Sequence, residues 1–216
     1  MRKLLLISLF FLTSCSSILS GGISFNGANY NYDYYVYNKK LDNNQASYLL
    51  NPTNYSNSNF STGSYLNSVV RFFKEKLKNN VTLKKNYKDD KGKLVIPFPI
   101  NFDITDEQVG FLKENTKLDY IILTKIVYLN EMNNVSLSNQ NVKRLQTATA
   151  GAISFIKILD IKTNIALIEM SCTGDVTINE ARNIETGIRE FQPKAIHKES
   201  YSLGEKTMKK LLRKIK

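Results

Sequence analysis

The chain offers few side chains that could act as nucleophiles, acid–base groups or metal ligands. It contains two cysteines, Cys15 and Cys172, and a single histidine, His197. With only one histidine, we expect neither a Ser-His-Asp triad, nor a Cys-His dyad, nor a metal site built on histidines. The sequence also lacks Walker-type and dinucleotide-binding glycine patterns. It therefore predicts no catalytic residue, no metal and no cofactor.

Three glutamates are the remaining candidates for chemistry, because paired carboxylates can hydrolyse glycosidic bonds. Glu180, Glu185 and Glu190 lie together in a charged stretch and would suit a hydrolase that acts on cell wall or glycan. Helix and loop surfaces carry glutamates routinely, since charged side chains are mostly exposed. The sequence therefore favours three ordinary surface glutamates over a hydrolase site.

The first fifteen residues have the organisation of a bacterial secretory signal that ends in a cysteine. Arg2 and Lys3 precede an apolar run over residues 4–12. This run is far shorter than the roughly 20 apolar residues of a membrane-spanning helix. Residues 12–15 have the sequence LTSC, a branched apolar residue followed by two small residues and a cysteine.

This pattern resembles the lipobox of bacterial lipoproteins. The resemblance implies that residues 1–14 are removed as a signal peptide and that Cys15 carries a thioether-linked diacylglycerol and an acylated amine. Two or more acyl chains hold a protein stably on a membrane. Cys15 is therefore the predicted lipidation site, and the alternative is a free cysteine in an ordinary signal peptide.

The residue after the cysteine bears on where the anchored protein resides. In Gram-negative lipoproteins an aspartate there commonly signals retention in the inner membrane, whereas this chain has Ser16. The resemblance thus implies the outer membrane, facing the periplasm; the cell surface and the outer face of the cytoplasmic membrane are alternatives. With Cys15 lipidated, Cys172 has no disulfide partner and cannot form a cysteine zinc site. We expect it to be a small buried side chain.

The charge balance indicates the kind of partner. The chain has 30 Lys and Arg residues against 19 Asp and Glu residues, a net charge of +11. Loss of Arg2 and Lys3 with the signal peptide reduces the net charge to +9. Such a surface suits anionic lipid headgroups, peptidoglycan carboxylates or an acidic protein, or solvent with no specific partner. For an exported lipoprotein we expect no nucleic acid partner.

Residues 15–62 are predicted to be a lipidated tether followed by a segment rich in tyrosine and asparagine. Residues 16–22 suit a tether. Tyr34-Tyr35-Val36-Tyr37 predicts a strand, because aromatic and β-branched residues favour strands, whereas residues 51–59 predict a loop. The tyrosines would also suit sugar stacking or another binding surface, but a strand and a linker are the favoured interpretation.

Residues 63–216 predict a single α+β domain that contains helices at three places. The first has Ser64 as its N-cap and apolar residues at helical spacing from Leu66 to Leu77. The second opens at Thr105, which has capping-box spacing to Gln108. The last, over residues 201–215, carries an apolar face and a basic face. The basic face suits either an anionic membrane or, as we favour, the dipole of the helix C-terminus. Its residues are Lys206, Lys209, Lys210, Arg213, Lys214 and Lys216.

Strands are predicted between these helices, and the longest are continuously apolar, as in a sheet covered on both faces. A turn at residues 162–164 makes the last two strands a hairpin. We expect an antiparallel-rich twisted sheet with a long C-terminal hairpin, packed by two or three helices. The predicted strands are residues 81–83, 93–96, 119–129, 150–161 and 165–176; residues 89–92 predict a turn, 130–147 a polar loop and 179–199 a charged excursion.

Two segments resemble a known family. Residues 117–126, with the sequence KLDYIILTKI, resemble the strand "gly-ala-asp-tyr-ile-leu-x-gly-x-ile" of the curli-secretion (CsgG-type) lipoprotein family. Related strands occur in penicillin-binding-protein activator lipoproteins and TolB amino-terminal-like domains. Residues 158–167, ILDIKTNIAL, resemble the hairpin "leu-x-asp-val-x-thr-gly-x-val-leu" of the same proteins. Lys125 and Asn164 replace the usual glycines, and asparagine tolerates the left-handed backbone that such a turn requires.

Three functions fit this sequence. The favoured one is a lipid-anchored cell-envelope protein that acts as a non-enzymatic interaction, assembly or regulatory module, with a protein partner or with further copies of itself. The resemblance implies a second, a ring-forming component of an outer-membrane secretion or assembly system. Residues 130–147 are rich in Asn, Ser and Gln and lack the aromatic girdles of a membrane-crossing hairpin. The third function is the hydrolase built on the three glutamates.

Overall fold

The computed structural model describes residues 24–25, 27–37, 41, 45–55, 64–129, 145, 148–177, 195–196 and 198–215. The helices in these ranges are α1 (Asn67–Leu77), α2 (Asp106–Asn115) and α3 (Ser200–Leu212). Short 3-10 turns, Lys78–Asn80 and Lys84–Asn86, flank the fifth strand. The strands are β1 (Ser24–Phe25), β2 (Asn29–Tyr37), β3 (Tyr48–Leu50), β4 (Asn54–Tyr55), β5 (Val81–Leu83), β6 (Tyr120–Tyr128), β7 (Ala150–Asp160), β8 (Ile165–Val176) and β9 (Ala195–Ile196).

Seven of these strands form one sheet in the order β2-β8-β7-β6-β3-β5, with β4 also pairing with β6. β2, β8, β7 and β6 pair antiparallel, whereas β3, β4 and β5 join in parallel. β1 and β9 form a separate two-stranded parallel pair. The predicted fold class, an antiparallel-rich sheet with a long C-terminal hairpin and packed helices, is confirmed.

One face of the sheet is covered by α1 and α3. α1 buries Val69, Phe73 and Leu77, which lie four residues apart and so share one side of the helix. The spacing predicts Met208, Leu211, Leu212 and Ile215 on one side of the last helix, and all four are buried in the core on this face of the sheet. Leu203 of α3 is buried there as well. Residues 67–80 and 198–215, which carry these two helices, are called the helix layer. Within the described ranges, no helix has both the length and the apolar composition needed to cross a membrane.

The other face is covered by α2 and the segment before it. The predicted capping box is present: Thr105 Oγ1 accepts a hydrogen bond from the Gln108 backbone N–H at 3.3 Å, and Gln108 Oε1 accepts one from the Thr105 N–H at 3.4 Å. Val109 and Leu112 are buried, as expected. Residues 84–119, which cover this face, are called the opposite layer.

Two glycines allow α3 to lie close to the sheet. A Cβ atom on Gly204 would lie 2.7 Å from Tyr128 Cε1, and one on Gly174 would lie 2.7 Å from Thr207 Cγ2. Ser154 Oγ and Thr207 Oγ1 lie 2.8 Å apart, and both lie within hydrogen-bond distance of the Gly204 carbonyl oxygen. These buried hydroxyl groups are therefore satisfied, and they fix α3 in register on β7.

Two aspartates organise the end of the sheet where the C-terminal hairpin turns. Asp119 Oδ1 accepts a hydrogen bond from Lys162 Nζ at 2.6 Å, and Asp119 Oδ2 accepts bonds from Ser47 N and Oγ at 2.8 and 2.9 Å. The Lys162 bond, supported by Ser47, lowers the pKa of the Asp119 carboxyl group. Asp160 Oδ1 accepts from the backbone N–H groups of Lys162 and Thr163 at 2.8 and 3.1 Å.

Some local predictions are wrong. The N-cap of α1 is Leu66 rather than Ser64, and no side chain caps the helix. Leu66 packs against the core, so burial decides where this helix begins. Residues 93–96 form no strand; Lys88 and Leu94 make an isolated bridge. This bridge lies beside the predicted turn, in which Gly92 N–H donates to the Asp89 carbonyl oxygen at 2.9 Å.

The segment before residue 62 contributes more to the sheet than the expected single strand. β2 extends the predicted strand back to Asn29, and β3 is completely buried between β5 and β6. β4 lies where residues 51–59 predict a loop, because its pairing with β6 stabilises a strand that its polar residues do not favour alone. The predictions for residues 130–147 and 179–199 fall mostly outside the described residues.

Candidate interaction surface

The outer side of β2 is an open edge of the sheet. β2 has nine residues and stands at one end of the strand order, and among the described strands none pairs with its outer side. An edge strand presents a row of backbone donors and acceptors with which another chain can pair. β2 has the sequence NYNYDYYVY, in which Asp33 is the one charged residue and proline is absent. Few of the residues that normally block pairing are therefore present.

Two lysines of the helix layer, Lys210 in α3 and Lys214 just after it, lie over tyrosine rings in the first half of β2. Lys210 Nζ lies 4.3 Å from the ring centroid of Tyr30, and Lys214 Nζ lies 4.7 Å from that of Tyr32. Each such cation–π contact contributes about 0.5–1 kcal/mol at an exposed site. The hydroxyl of Tyr37 also donates to the Lys214 carbonyl oxygen. Burial raises the pKa of the Tyr30 and Tyr32 hydroxyl groups.

The second half of β2 turns three large side chains to solvent. The register with β8 shifts between Tyr34 and Val36, which makes Tyr35 the extra residue of a bulge. Bulges redirect side chains, and here Tyr34, Tyr35 and Val36 are 47%, 51% and 41% exposed. Tyrosine supplies large, rigid contact area at interfaces. Residues 29–37 are called the tyrosine edge.

The sheet has a second, shorter open edge. β5 has three residues and ends the strand order on the side opposite β2. Val81 and Thr82 are half-buried, whereas Leu83 is buried. Among the described strands, the sheet therefore ends in two open edges that differ in length and sequence.

A cleft of about 780 Å³ lies between α1 and α3. Arg71 projects from α1 and Lys209 from α3, and both also line a smaller adjoining cavity of about 190 Å³. Lys209 Nζ lies 3.8 Å from Glu205 Oε2. Ser68 Oγ, at the cleft wall, is buried and has no hydrogen-bond partner among the described residues. The N-terminus of α1 lies here with no side-chain cap and no acidic residue in its first turn, an arrangement that favours an anion. The lining residues are Tyr55, Ser64, Tyr65, Leu66, Asn67, Ser68, Arg71, Tyr201, Glu205 and Lys209.

The residues singled out for chemistry in the sequence fall into two groups. Cys15, His197 and the three glutamates at positions 180, 185 and 190 lie outside the described residues. Cys172 lies on β8 and is fully buried, which confirms the expectation for its side chain. Burial raises the pKa of the Cys172 thiol to about 12, so it stays protonated and unreactive at neutral pH.

The sequence predicted the strand at residues 34–37 of the tyrosine edge but gave no prediction of the cleft. The strand-forming composition of residues 34–37 was visible, but the edge position of β2 depends on its pairing with β8, far along the chain. The walls of the cleft come from α1 and α3, helices near opposite ends of the domain. Its one local signal is the absence of acidic residues in the helical turn ahead of Arg71.

No protein-family model matches this chain, and no curated protein matches it. Among solved structures, the chain is similar to the PelC dodecamer from Paraburkholderia phytofirmans, with 7% identity, a TM-score of 0.38, and coverage of 87% of this chain and 96% of that one. It is also similar to a variant of the same PelC dodecamer, with 8% identity, a TM-score of 0.35, and coverage of 88% and 97%. Similarity at this level carries no argument about function.

Proposed function

We propose that this protein is a lipid-anchored, non-enzymatic assembly module of the cell envelope, which binds a protein chain along the tyrosine edge. The observation that carries the proposal is the open, nine-residue edge of β2 with its three exposed side chains. Strand addition at such an edge supplies main-chain hydrogen bonds for affinity and side-chain contacts for specificity. Tyr34 and Tyr35 are the residues that would set this specificity.

The rest of the sheet supports a binding role for this edge. β2 is fixed along its inner side by pairing with β8, and the cation–π contacts of Lys210 and Lys214 join it to the helix layer. A pre-ordered edge spends little conformational entropy when a partner strand is added. The edge is also close in sequence to the anchor, since Asn29 follows Cys15 by fourteen residues. Partner binding would therefore take place near the membrane surface.

A ring-forming component of a secretion or assembly system is the second candidate. The observation that favours it is the pair of unequal open edges, β2 and β5, at the two ends of one sheet. Two different edges permit head-to-tail contacts between identical copies, and such contacts close into rings when the rotation between copies allows it. If the protein forms such a ring, the chain that binds along the tyrosine edge is a second copy of the same protein.

Light scattering on the lipoprotein, extracted from its own membranes in mild detergent, tests the edge. Val36→Lys places a charge on the edge, and Leu94→Lys is the matched control because the two side chains are 41% and 42% exposed. Edge lysines oppose strand pairing. We expect wild type and Leu94→Lys to keep the same multimer or the same bound partner, and Val36→Lys to lose it. Retention of the assembly by Val36→Lys would contradict the proposal, and a closed multimer of identical copies would select the ring.

Intact-mass spectrometry of the same preparation tests the anchor. We expect a chain that begins at Cys15 and carries the added mass of a diacylglycerol and a further acyl group. The Cys15→Ala variant is expected to retain residues 1–14 and to carry no acyl mass. An unmodified Cys15, or a mature chain that begins elsewhere, would contradict the anchor without bearing on the tyrosine edge.

A further inference from the structure

Positive charge is concentrated on one face of the molecule. The helix layer contains ten Lys and Arg residues against three Glu residues, a net charge of +7. The opposite layer contains seven Lys residues against seven Asp and Glu residues, and is neutral. Most of the cations in the helix layer are exposed, including Arg71, Lys206, Lys209 and Arg213. Among the described residues, the excess positive charge therefore forms a basic face rather than an even surface.

Several of these cations lie close to one another. The side chain of Lys198 adjoins Lys206 and lowers the pKa of Lys206, and Arg213 acts in the same direction. Like charges at short range raise the local positive potential, and an anion placed there relieves the repulsion. The cation–π contacts of Lys210 and Lys214 extend this basic face as far as β2.

The cleft between α1 and α3 opens within the basic face. Arg71 and Lys209 line both parts of it, the uncapped end of α1 adjoins it, and the buried Ser68 Oγ has no hydrogen-bond partner within the described part of the chain. Two cations from different helices, a hydroxyl group and the N-terminal end of a helix are groups that bind phosphate. Glu205 also lines the cleft and pairs with Lys209 at 3.8 Å. The cleft is thus suited to a phosphate group presented from outside the protein.

The path of the chain from the lipid anchor leads to the same face. The fourteen-residue step from Cys15 to Asn29 reaches at most about 50 Å when fully extended. It ends next to Tyr30 and Tyr32, over which Lys210 and Lys214 of the helix layer lie. A protein held by Cys15 therefore keeps its basic face within reach of the membrane surface, where anionic lipids attract clustered lysines and arginines.

We propose that the helix layer docks on a membrane that contains anionic phospholipids, with headgroup phosphates entering the cleft between Arg71 and Lys209. The inference rests on the lipid anchor of the proposed function. The lipid chains supply attachment, and the basic face supplies orientation. An acidic protein or an anionic wall polymer is a different occupant of the same face, and the test separates these from lipid.

The test uses the purified lipoprotein on vesicles of phosphatidylcholine alone and of phosphatidylcholine mixed with phosphatidylglycerol. Acetylation rates of individual lysines are followed by mass spectrometry. We expect Lys206 and Lys209 to react about fivefold more slowly on the anionic vesicles, the factor that corresponds to the ~1 kcal/mol per cation near an anionic surface. High salt should abolish this protection. Lys113 and Lys117, on the opposite layer, should react equally on both vesicles.

A double variant with reversed charges tests whether the cleft is the part of the basic face that binds the membrane. Arg71→Glu with Lys209→Glu should lose the protection of Lys206, whereas the matched pair Lys91→Glu with Lys93→Glu, on the opposite layer, should keep it. All four side chains are exposed, so both variants are expected to fold.

Each remaining outcome decides one of the two proposals. Flotation with both vesicle types and uniform acetylation would overturn docking and leave the anchor standing. Flotation with anionic vesicles alone would support docking and contradict the anchor. Protection that appears only after addition of an acidic protein or wall fragments, and not with phosphatidylglycerol, would overturn the choice of lipid.

Discussion

At the scale of single residues, the two aspartates in the family-like segments have structural roles. Asp119 joins the start of β6 to Ser47 before β3 and to Lys162 in the hairpin turn. Asp160 closes that turn by accepting from two backbone N–H groups. Both carboxylates thus position strands.

Asp119→Asn should destabilise the protein by about 1 kcal/mol at neutral pH, because it removes a charge-assisted network that is partly exposed. The folded-state pKa of Asp119 is lowered, chiefly by Lys162. Its stabilisation is therefore present above the unfolded-state pKa of about 4 and is lost as the pH falls through the folded-state pKa. Urea midpoints of the variant should accordingly fall less than those of wild type between about pH 5 and pH 3. Asp90→Asn, an exposed aspartate in the turn at residues 89–92, should keep the wild-type pH profile; the same profile in Asp119→Asn would contradict the assignment.

Cys172 should not react with a thiol reagent in the native protein. Its side chain is fully buried and its thiol pKa is raised to about 12, so neither access nor thiolate is available. Labelling is measured against the same protein unfolded in urea, in which Cys172 should react fully. Rapid labelling without urea would mean that β8 opens locally on the time scale of the reaction.

At the scale of elements, the sequence predicted the helices and strands whose formation depends on residues close to one another in the chain. The capping box at Thr105, the apolar run of β6 and the apolar face of α3 each carry their cause within a short window. Asn164 adopts a φ of 56°, as expected where it replaces a turn glycine. β3 and β4 escaped prediction because their strand state depends on parallel pairing with β6, distant in sequence. Long-range pairing of this kind leaves no periodic pattern in three-residue or two-residue segments.

The packing of α3 on the sheet depends on Gly204. A Cβ atom there would lie 2.7 Å from Tyr128 Cε1 and 2.9 Å from Ile126 Cγ2, so Gly204→Ala should destabilise the protein by about 1–3 kcal/mol. Gly110→Ala is the matched control, because Gly110 is also helical but has no atom within 4 Å of its Cβ position. That change should stabilise the protein by about 0.5–1 kcal/mol. Thermal unfolding of both variants measures this, and equal melting temperatures would contradict a close approach at α3.

At the scale of the whole molecule, the two proposed surfaces belong to different parts of the fold. The helix layer covers one face of the sheet, whereas β2 and β5 form its lateral edges. Docking through the helix layer would leave both edges directed along the membrane plane, where other copies or partners move. The composition predicted the basic excess, but its concentration on one face depends on which helices share a side of the sheet, and no local pattern encodes that.

Membrane docking and assembly should therefore be separable by mutation. On anionic vesicles, Val36→Lys should keep the slow acetylation of Lys206 but lose chemical crosslinks to its partner, since the substitution lies on the edge and adds no negative charge to the basic face. The Arg71→Glu, Lys209→Glu pair should show the reverse, with fast acetylation of Lys206 and intact crosslinks in detergent.

Leu94→Lys should retain both properties and controls for an added lysine at equal exposure. If Val36→Lys also lost the protection of Lys206, orientation on the membrane would depend on assembly, and the basic face of a single copy would be too weak to dock alone. If the charge-reversed pair lost its crosslinks in detergent, where no anionic surface is present, the cleft rather than the tyrosine edge would be the site of assembly.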